Sequence, residues 1–117
     1  MENALRMALL FDFYGPLLTE RQQDVFQMYF HEDLSLGEVG EEFDVSRQAI
    51  YDILKRSGSL LEDFESKLGL VARHQERQRI FDETLSLIEL CRTAESKDRD
   101  QYLTELAEKI AEAQRQG

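Results

Sequence analysis

The sequence of 117 residues has one proline (Pro16), one cysteine (Cys91), six glycines and no tryptophan. Because folds with many strands need frequent turns rich in glycine and proline, this scarcity favours long helices. The lone cysteine excludes an internal disulfide framework and fits a reducing compartment, so we expect a cytoplasmic protein. The apolar run MALLF at 7–11 is too short to span a membrane. No cleavage site follows it, so we expect neither membrane insertion nor a signal peptide.

The sequence also lacks a basic tail or a lysine-rich run. It has 14 basic and 24 acidic side chains, a formal net charge of −10. Residues 19–57 alone carry four basic and nine acidic side chains, a net charge of −5. Strong non-specific binding to nucleic acid needs a positive surface, which this composition does not supply. The charge makes DNA binding a less obvious function without excluding it.

The first third of the chain contains the signals of two helices. Residues 3–14 are apolar on nearly every side, which indicates a helix that is deeply packed or lies in an interface. The Gly-Pro pair at 15–16 ends it. Thr19 and Gln22 have the spacing of a capping box, which predicts that the next helix begins at residue 20. No segment shows the sustained alternation of a strand.

A helix-turn-helix is predicted in the next segment. Ser35 and Glu38 form a second capping box, which starts a short helix over residues 36–43. Asp44 belongs to a residue type that tolerates a left-handed turn, and Ser46 caps the following helix. Two short capped helices joined by about three residues describe a helix-turn-helix.

The spacing within this motif supports the prediction. The first helix needs a small residue where the second helix crosses it at close range, and Gly40 is at that position. An ordinary helical hairpin with coincidental spacing is the alternative. The apolar positions that the motif requires are filled in register by Val39, Phe43, Val45, Ile50 and Ile53.

The C-terminal half is also predicted to be helical. The segment SGS at 57–59 indicates a joint, and a long helix is expected over 59–94, followed by a break at 96–98 and a final amphipathic helix. We therefore expect an all-α fold that forms one compact structural unit. Its parts are a helix-turn-helix unit over residues 1–57 and a long helix with an amphipathic tail over residues 58–117.

An apolar seam on the long helix suggests self-association. The side chains Leu61, Phe64, Leu68 and Val71 repeat at the spacing of a coiled coil, and Gly69 is a weak point within them. One short hairpin cannot fully cover this seam, and the N-terminal helix is apolar on nearly every side. Both features predict a homodimer, although a terminal helix that folds back would satisfy the seam within one chain.

The segment SLGEVGEEFDVSRQAIYDILKR at 35–56, preceded by LTERQQDVFQMYF at 18–30, resembles region four of bacterial sigma factors. A closer resemblance is to the YlxM family of small bacterial proteins, through FDFYGPLLTERQ and through VSRQAIYDILKR followed directly by a long helix. The resemblance covers residues 4 to 70. This chain departs from the common pattern with Gly40 in place of alanine and Asp44 in place of glycine.

This resemblance implies a helix-turn-helix regulatory protein that binds DNA and takes part in the signal recognition particle pathway. The link to this pathway is that the family's genes lie beside those of the particle's GTPases. The alternative is an adaptor that binds a protein or RNA component of the signal recognition particle. The resemblance implies neither promoter melting nor binding to the polymerase core.

On the second helix of the motif, a set of side chains is predicted to face outward and contact nucleic acid: Ser46, Arg47, Gln48, Tyr51, Asp52, Lys55 and Arg56. Arg47 has the chemistry to pair with guanine O6/N7, and Gln48 with adenine N6/N7. Lys55 and Arg56 would hold phosphates. Asp52 would repel phosphate unless it accepts a hydrogen bond from cytosine N4. The alternative is a solvated face whose cations balance nearby carboxylates.

A second positive patch consists of Arg73, His74, Arg77 and Arg79. The sequence leaves open whether it contacts a phosphate backbone, a partner's acidic surface or only solvent. His31 and His74 have no Cys/His ligand spacing, and no two glycines have the spacing of a phosphate-binding or dinucleotide motif. We therefore expect no enzyme, no catalytic or metal site and no cofactor.

Overall fold

A computed structural model describes residues 3–116, with side chains described through residue 115. The described chain is all-helical, as the sequence predicted, and contains no strand. The helices are α1 (Ala4–Tyr14), α2 (Glu20–Phe30), α3 (Leu36–Phe43), α4 (Arg47–Leu68), α5 (Leu70–Thr93) and α6 (Ser96–Gln116), with a short 3-10 turn at Gly15–Leu17. The chain divides into two compact units, Met1–Val71 and Ala72–Gly117.

Both predicted capping boxes are confirmed. The Thr19 hydroxyl accepts from the Gln22 amide at 3.2 Å, and the Gln22 side chain accepts from the Thr19 amide at 2.9 Å. Ser35 and Glu38 make the same reciprocal pair at 3.1 and 3.0 Å. These bonds satisfy amides that have no partner inside the first helical turn, which is why α2 and α3 begin where the sequence predicts.

The predicted joint at 57–59 is wrong, because α4 continues through it to Leu68. Ser57 is buried, and its hydroxyl donates to the Ile53 carbonyl at 2.8 Å, so this polar side chain is satisfied inside the helix. A Cβ at Gly58 would lie 3.3 Å from the Met7 sulfur, so the glycine marks close packing against α1. The predicted boundary after residue 57 falls inside α4.

The helix expected over 59–94 is interrupted at Gly69, which the sequence marked only as a weak point. Gly69 has φ 63°, a left-handed conformation that ends α4 and that glycine adopts without steric cost. Its amide donates to the Glu65 carbonyl at 2.8 Å. The break predicted at 96–98 also differs from the structure, since α6 already begins at Ser96.

The N-terminal unit is built around α4, against which α1, α2 and α3 all pack. The ring of Phe11 on α1 stacks on that of Phe26 on α2, with centroids 4.7 Å apart, so α1 is deeply packed. The core side chains of this unit are Leu10, Tyr14, Leu18, Val25, Phe26, Val39, Ile50, Leu54, Leu61 and Val71.

The seam from Leu61 to Val71 is covered mainly within the N-terminal unit. Both end residues are buried in its core, and Phe64 packs against that core. Only Leu68 remains largely exposed. The seam therefore supplies no argument for a homodimer, which stays a prediction that needs a different surface.

The C-terminal unit contains α6 and the part of α5 that follows Val71. Ile80 and Leu87 are its buried large apolar side chains among the described residues. At the connection between the helices, the Arg99 guanidinium donates to the carbonyls of Cys91 and Ala94, at 3.2 and 2.9 Å. These bonds satisfy carbonyls at the end of α5 that lack partners within the helix.

Candidate nucleic-acid interface

The turn between α3 and α4 has the geometry of a Schellman motif. The Val45 amide donates to the Gly40 carbonyl at 2.9 Å, and the Asp44 amide donates to the Glu41 carbonyl at 3.3 Å. Asp44 has φ 55°, the left-handed conformation predicted for it. The Ser46 hydroxyl then accepts from the Ala49 amide at 3.0 Å and caps α4. Local hydrogen bonds thus fix the direction in which α4 leaves the turn.

Gly40 allows this turn to approach α3 closely. A Cβ at this position would lie 2.7 Å from the Val45 carbonyl oxygen and 3.5 Å from the Arg47 amide nitrogen. At the first distance a Cβ would force the turn to shift, because the obstructing atom belongs to the backbone. The small residue that the motif requires is therefore explained by the crossing of the two helices.

The N-terminal half of α4 exposes every side chain that the sequence predicted to face outward. Ile50 and Leu54 are buried on its opposite face, and Ala49 and Ile53 lie at the edge of the core. The exposed positions are Ser46, Arg47, Gln48, Tyr51, Asp52, Lys55 and Arg56. The two faces are therefore separated as predicted, and contact of the exposed one with nucleic acid stays a prediction.

Arg47 and Lys55 are not neutralised by neighbouring carboxylates. Neither cation forms an ion pair with any of the described residues, although eight such pairs join other side chains. Both charges remain available to an incoming anion.

Asp52 interacts with neighbours on its own helix. Its carboxylate accepts from the Gln48 side-chain amide at 3.1 Å, and its carbonyl accepts from the Arg56 guanidinium at 3.5 Å. The first bond uses one of the two hydrogens of the Gln48 amide group and fixes its orientation. This pair was not predicted, although its i, i+4 spacing is one at which glutamine and aspartate interact on helices.

Three shallow depressions flank this face. One, of about 310 Å³, lies beside Leu36, Arg47, Gln48 and Tyr51. A second, of about 380 Å³, is lined by Asp52, Lys55, Arg56 and Ser59. A groove of about 710 Å³ between α1 and α4 is lined by Met7, Tyr51, Leu54, Lys55, Gly58, Ser59 and Glu62. Tyr51 and Lys55 are thus shared between the predicted contact face and the groove beside it.

The electrostatic setting of the face is negative. Residues 1–71 carry six basic and fourteen acidic side chains, a net charge of −8. One of the six cations, Arg21, lies over the Phe43 ring at 5.3 Å. A second, Arg6, is held by Glu62 through two hydrogen bonds at 2.7 and 2.9 Å. The cations on the exposed face of α4 therefore form a small positive area on a unit whose net charge is negative.

The four side chains of the predicted second positive patch differ in their surroundings. Arg79 pairs with Glu76, Glu83 and Glu112, so it belongs to a network that joins α5 to α6. The hydrogen bonds that Arg79 donates to Glu76 and Glu83 raise the pKa of Arg79 above its ordinary value. Arg77 is exposed, and Arg73 and His74 each have an interaction of their own.

The described residues contain no cluster of three or more His, Cys, Asp or Glu side chains that could hold a metal ion. His31 lies against the Phe11 ring, with centroids 5.6 Å apart. None of the described helices combines the length and the apolar character that crossing a membrane requires.

Comparison with known proteins agrees with this geometry. The family described as "UPF0122: Putative helix-turn-helix protein, YlxM / p13 like" matches residues 1–103. The chain belongs to the UPF0122 family. The predicted resemblance to YlxM proteins is thereby confirmed.

Several UPF0122 proteins are similar to this chain over most of its length. One from Thermoanaerobacter sp. (strain X514) is 48% identical over 110 residues, which cover 94% of this chain and 92% of the relative. One from Symbiobacterium thermophilum is 52% identical over 83 residues, 71% of this chain and 78% of the relative. One from Bacillus thuringiensis (strain Al Hakam) is 51% identical over 88 residues, 75% and 80% of the two chains.

Proposed function

We propose that this UPF0122 protein is a regulatory protein that binds duplex DNA through the exposed face of α4. The observation that carries the proposal is the pair of unneutralised cations, Arg47 and Lys55, on the second helix of a helix-turn-helix. Helices in this position of the motif enter the major groove, and their N-terminal residues contact base edges.

Each exposed side chain has a role in this proposal. Arg47 near the start of α4 would pair with guanine, and Gln48 beside it would pair with adenine. Lys55 and Arg56, two turns further along, would contact phosphates, as would the hydroxyls of Ser46 and Tyr51. Because residues 1–71 have a net charge of −8, affinity must come mainly from base contacts and few phosphates. Non-specific binding should therefore be weak.

A homodimer would suit this mode of binding. Helix-turn-helix proteins commonly bind as pairs, whose recognition helices enter the major groove at half-sites one helical turn apart. Two copies of a weakly binding face would together reach an affinity that one copy lacks.

The second candidate function is an adaptor that uses the same face on a protein or RNA component of the signal recognition particle. The acidic N-terminal unit favours a protein component as the partner, because a net charge of −8 opposes the approach of a long polyanion, whether duplex DNA or RNA. A compact acidic surface of a protein partner that contacts only the α4 cations would meet less of that repulsion.

Selection from random-sequence duplex DNA at about 150 mM salt tests the proposal. We expect the full chain to enrich one site. Arg47→Ala should cost about 1–3 kcal/mol on that site. Lys55→Ala should weaken binding to all sequences and lower the log–log salt slope by about one. Lys67→Ala is the matched control, because Lys67 lies on the same helix but pairs with Asp63 at 3.0 Å.

Failure to enrich any duplex would contradict DNA binding. The adaptor candidate predicts instead that a signal recognition particle protein or RNA is retained by the immobilised chain. Arg47→Glu or Lys55→Glu should then release it. A tight duplex site whose affinity is unchanged by Arg47→Ala, Gln48→Ala and Lys55→Ala would contradict the assignment of the binding face.

A further inference from the structure

The hairpin formed by α5 and α6 lacks a core of its own. Between Ala72 and Arg115 the structure buries only two large apolar side chains, Ile80 and Leu87. Most of the stability of a helix in a protein comes from packing its apolar face against another element. The unit therefore needs further burial to be stable.

The missing burial is available on the hairpin surface. Both helices leave large apolar side chains open to solvent: Phe81 (47% exposed), Leu85 (64%), Ile88 (40%), Leu103 (47%) and Ile110 (49%). Two pairs, Phe81 with Ile88 and Leu103 with Ile110, are each seven residues apart. This spacing gives one continuous stripe along a helix.

Four of these side chains lie on one side of the hairpin. The ion pair between Glu83 and Lys109 marks the faces that α5 and α6 turn toward each other. At 100° per residue, Ile88 lies about 140° around α5 from Glu83, and Leu103 about 120° around α6 from Lys109. In an antiparallel pair these rotations point to the same side, so the stripes form one apolar face. Leu85 lies about 40° from Phe81 at the edge of this face, whereas Leu90, 43% exposed, lies on the opposite side of α5.

We propose that this face binds the same face of a second copy of the chain, which forms an antiparallel four-helix bundle. Its two-fold axis runs parallel to the helices, so that α5 of one copy packs beside α6 of the other. This arrangement, in which each helix has two antiparallel neighbours, is common for bundles of two helical hairpins. The proposal concerns a surface outside the DNA-contacting residues, so the two can fail separately.

The register of the hairpin makes the face self-complementary. Within one copy, Arg79 pairs with Glu112 and Glu83 pairs with Lys109. A residue of α5 and a residue of α6 therefore lie at the same height along the hairpin when their residue numbers add up to 191 or 192. A two-fold axis along the bundle keeps these heights. Ile88 then meets Leu103 of the second copy, and Phe81 meets Ile110. The large apolar side chains of each copy therefore pack against the apolar stripe of the other copy.

Charge also favours a second copy as the occupant. Residues 72–117 carry eight basic and ten acidic side chains, a net charge of −2, against −8 for residues 1–71. Two C-terminal units therefore approach each other with little repulsion. The same register places Arg92 beside Asp100 of the second copy, where the two side chains would form an ion pair at the edge of the apolar face.

Sedimentation equilibrium of the full chain tests this interface. We expect a dimer at tens of micromolar, and we expect Ile88→Lys to raise its dissociation constant roughly 100-fold. Leu90→Lys is the matched control: it makes the same change on the same helix, but on the side opposite the proposed face, and should leave the dimer intact. Far-UV circular dichroism of both variants checks that the helices remain folded.

Cross-linking gives a second readout that does not depend on a destabilising lysine. In a Cys91→Ser background, Ile88→Cys combined with Leu103→Cys should yield a covalent dimer with a short bismaleimide, whereas Leu90→Cys with Leu103→Cys should not. A wild-type chain that stays monomeric would assign the face to another partner and overturn the proposal. Equal loss of the dimer in Ile88→Lys and Leu90→Lys, or a covalent dimer formed through Leu90→Cys but not through Ile88→Cys, would also overturn it.

Discussion

The Tyr14 hydroxyl donates a hydrogen bond of 2.5 Å to the Glu65 carboxylate, which ties the end of α1 to the last turn of α4. The same hydroxyl accepts from the Leu70 amide at 3.0 Å, and the Glu65 oxygen accepts from the Val71 amide at 3.0 Å. These amides open α5, where N–H groups lack partners within the helix. A tertiary contact therefore caps the helix that begins after Gly69.

Replacing Tyr14 with phenylalanine should destabilise the protein by about 1–3 kcal/mol, because Glu65 loses a donor and the Leu70 amide loses its acceptor. Tyr29→Phe is the control: the Tyr29 ring is half-buried, but its hydroxyl makes no hydrogen bond to a described residue. Chemical denaturation of both variants measures the difference. Equal stability of the two variants would mean that this hydroxyl does not hold the joint.

Alkaline pH should loosen the same contact. Burial raises the pKa of Tyr14 above its ordinary value, and the hydrogen bond to Glu65 raises it further. The stability that this group contributes is present below its unfolded pKa of about 10 and is lost as pH rises through the higher folded value. We expect the wild-type chain to lose more stability than Tyr14→Phe above pH about 10. Parallel curves for the two proteins would contradict the assignment.

Two glycines of α3 should respond in opposite ways to alanine. Gly40→Ala would place a Cβ 2.7 Å from the Val45 carbonyl oxygen, so the turn must shift, and we expect a loss of about 1–3 kcal/mol. Gly37→Ala meets only the Ser35 hydroxyl at 3.9 Å and should gain up to about 1 kcal/mol from helix propensity. Thermal unfolding measures both. A stabilised Gly40→Ala protein would show that the crossing is looser than the structure has it.

Asp52 should affect affinity and specificity separately, if α4 binds DNA. Asp52→Asn removes a negative charge but keeps an oxygen for the Gln48 amide, so binding to all duplexes should strengthen while base preference is retained. Asp52→Ala removes the same charge and also releases Gln48, so discrimination at the base pair that Gln48 contacts should fall. Binding to the selected site and to single-base variants distinguishes the two. Identical base preference in both substitutions would show that Asp52 does not orient Gln48.

Acid should weaken the attachment of α1 to α4. Arg6 donates two hydrogen bonds to Glu62, which lower the pKa of that carboxyl below its ordinary value. The contribution is therefore present at neutral pH and is lost as pH falls through the lowered value. Because both side chains are partly exposed, a double-mutant cycle with Arg6→Gln and Glu62→Gln should give no more than about 1 kcal/mol at pH 7. The coupling should fall as acid protonates the Glu62 carboxyl, and a coupling that persists once this carboxyl is fully protonated would have another origin.

Local chemistry in the sequence determined where the short helices begin and which way the turn runs. Ser35 with Glu38, and Ser46 with Ala49, are hydrogen-bonded pairs three residues apart, so their geometry requires nothing from the rest of the chain. The exposed face of α4 followed for the same reason, because helical periodicity separates the buried Ile50 from its polar neighbours. All the predicted contact residues could thus be placed outward from the sequence alone.

Only the tertiary structure decided how the long segments are divided. Ser57 and Gly58 resemble a joint in the sequence, yet helix α4 continues through them, because one side chain bonds backward along the helix and the other position packs against Met7. Gly69 becomes the true break because Tyr14, fifty-five positions earlier in the chain, supplies the cap for α5. Such partners are distant in sequence, so no local pattern contains them. The pairing of Arg79 with Glu112 was also decided by the tertiary structure, because it depends on how α6 folds back along α5.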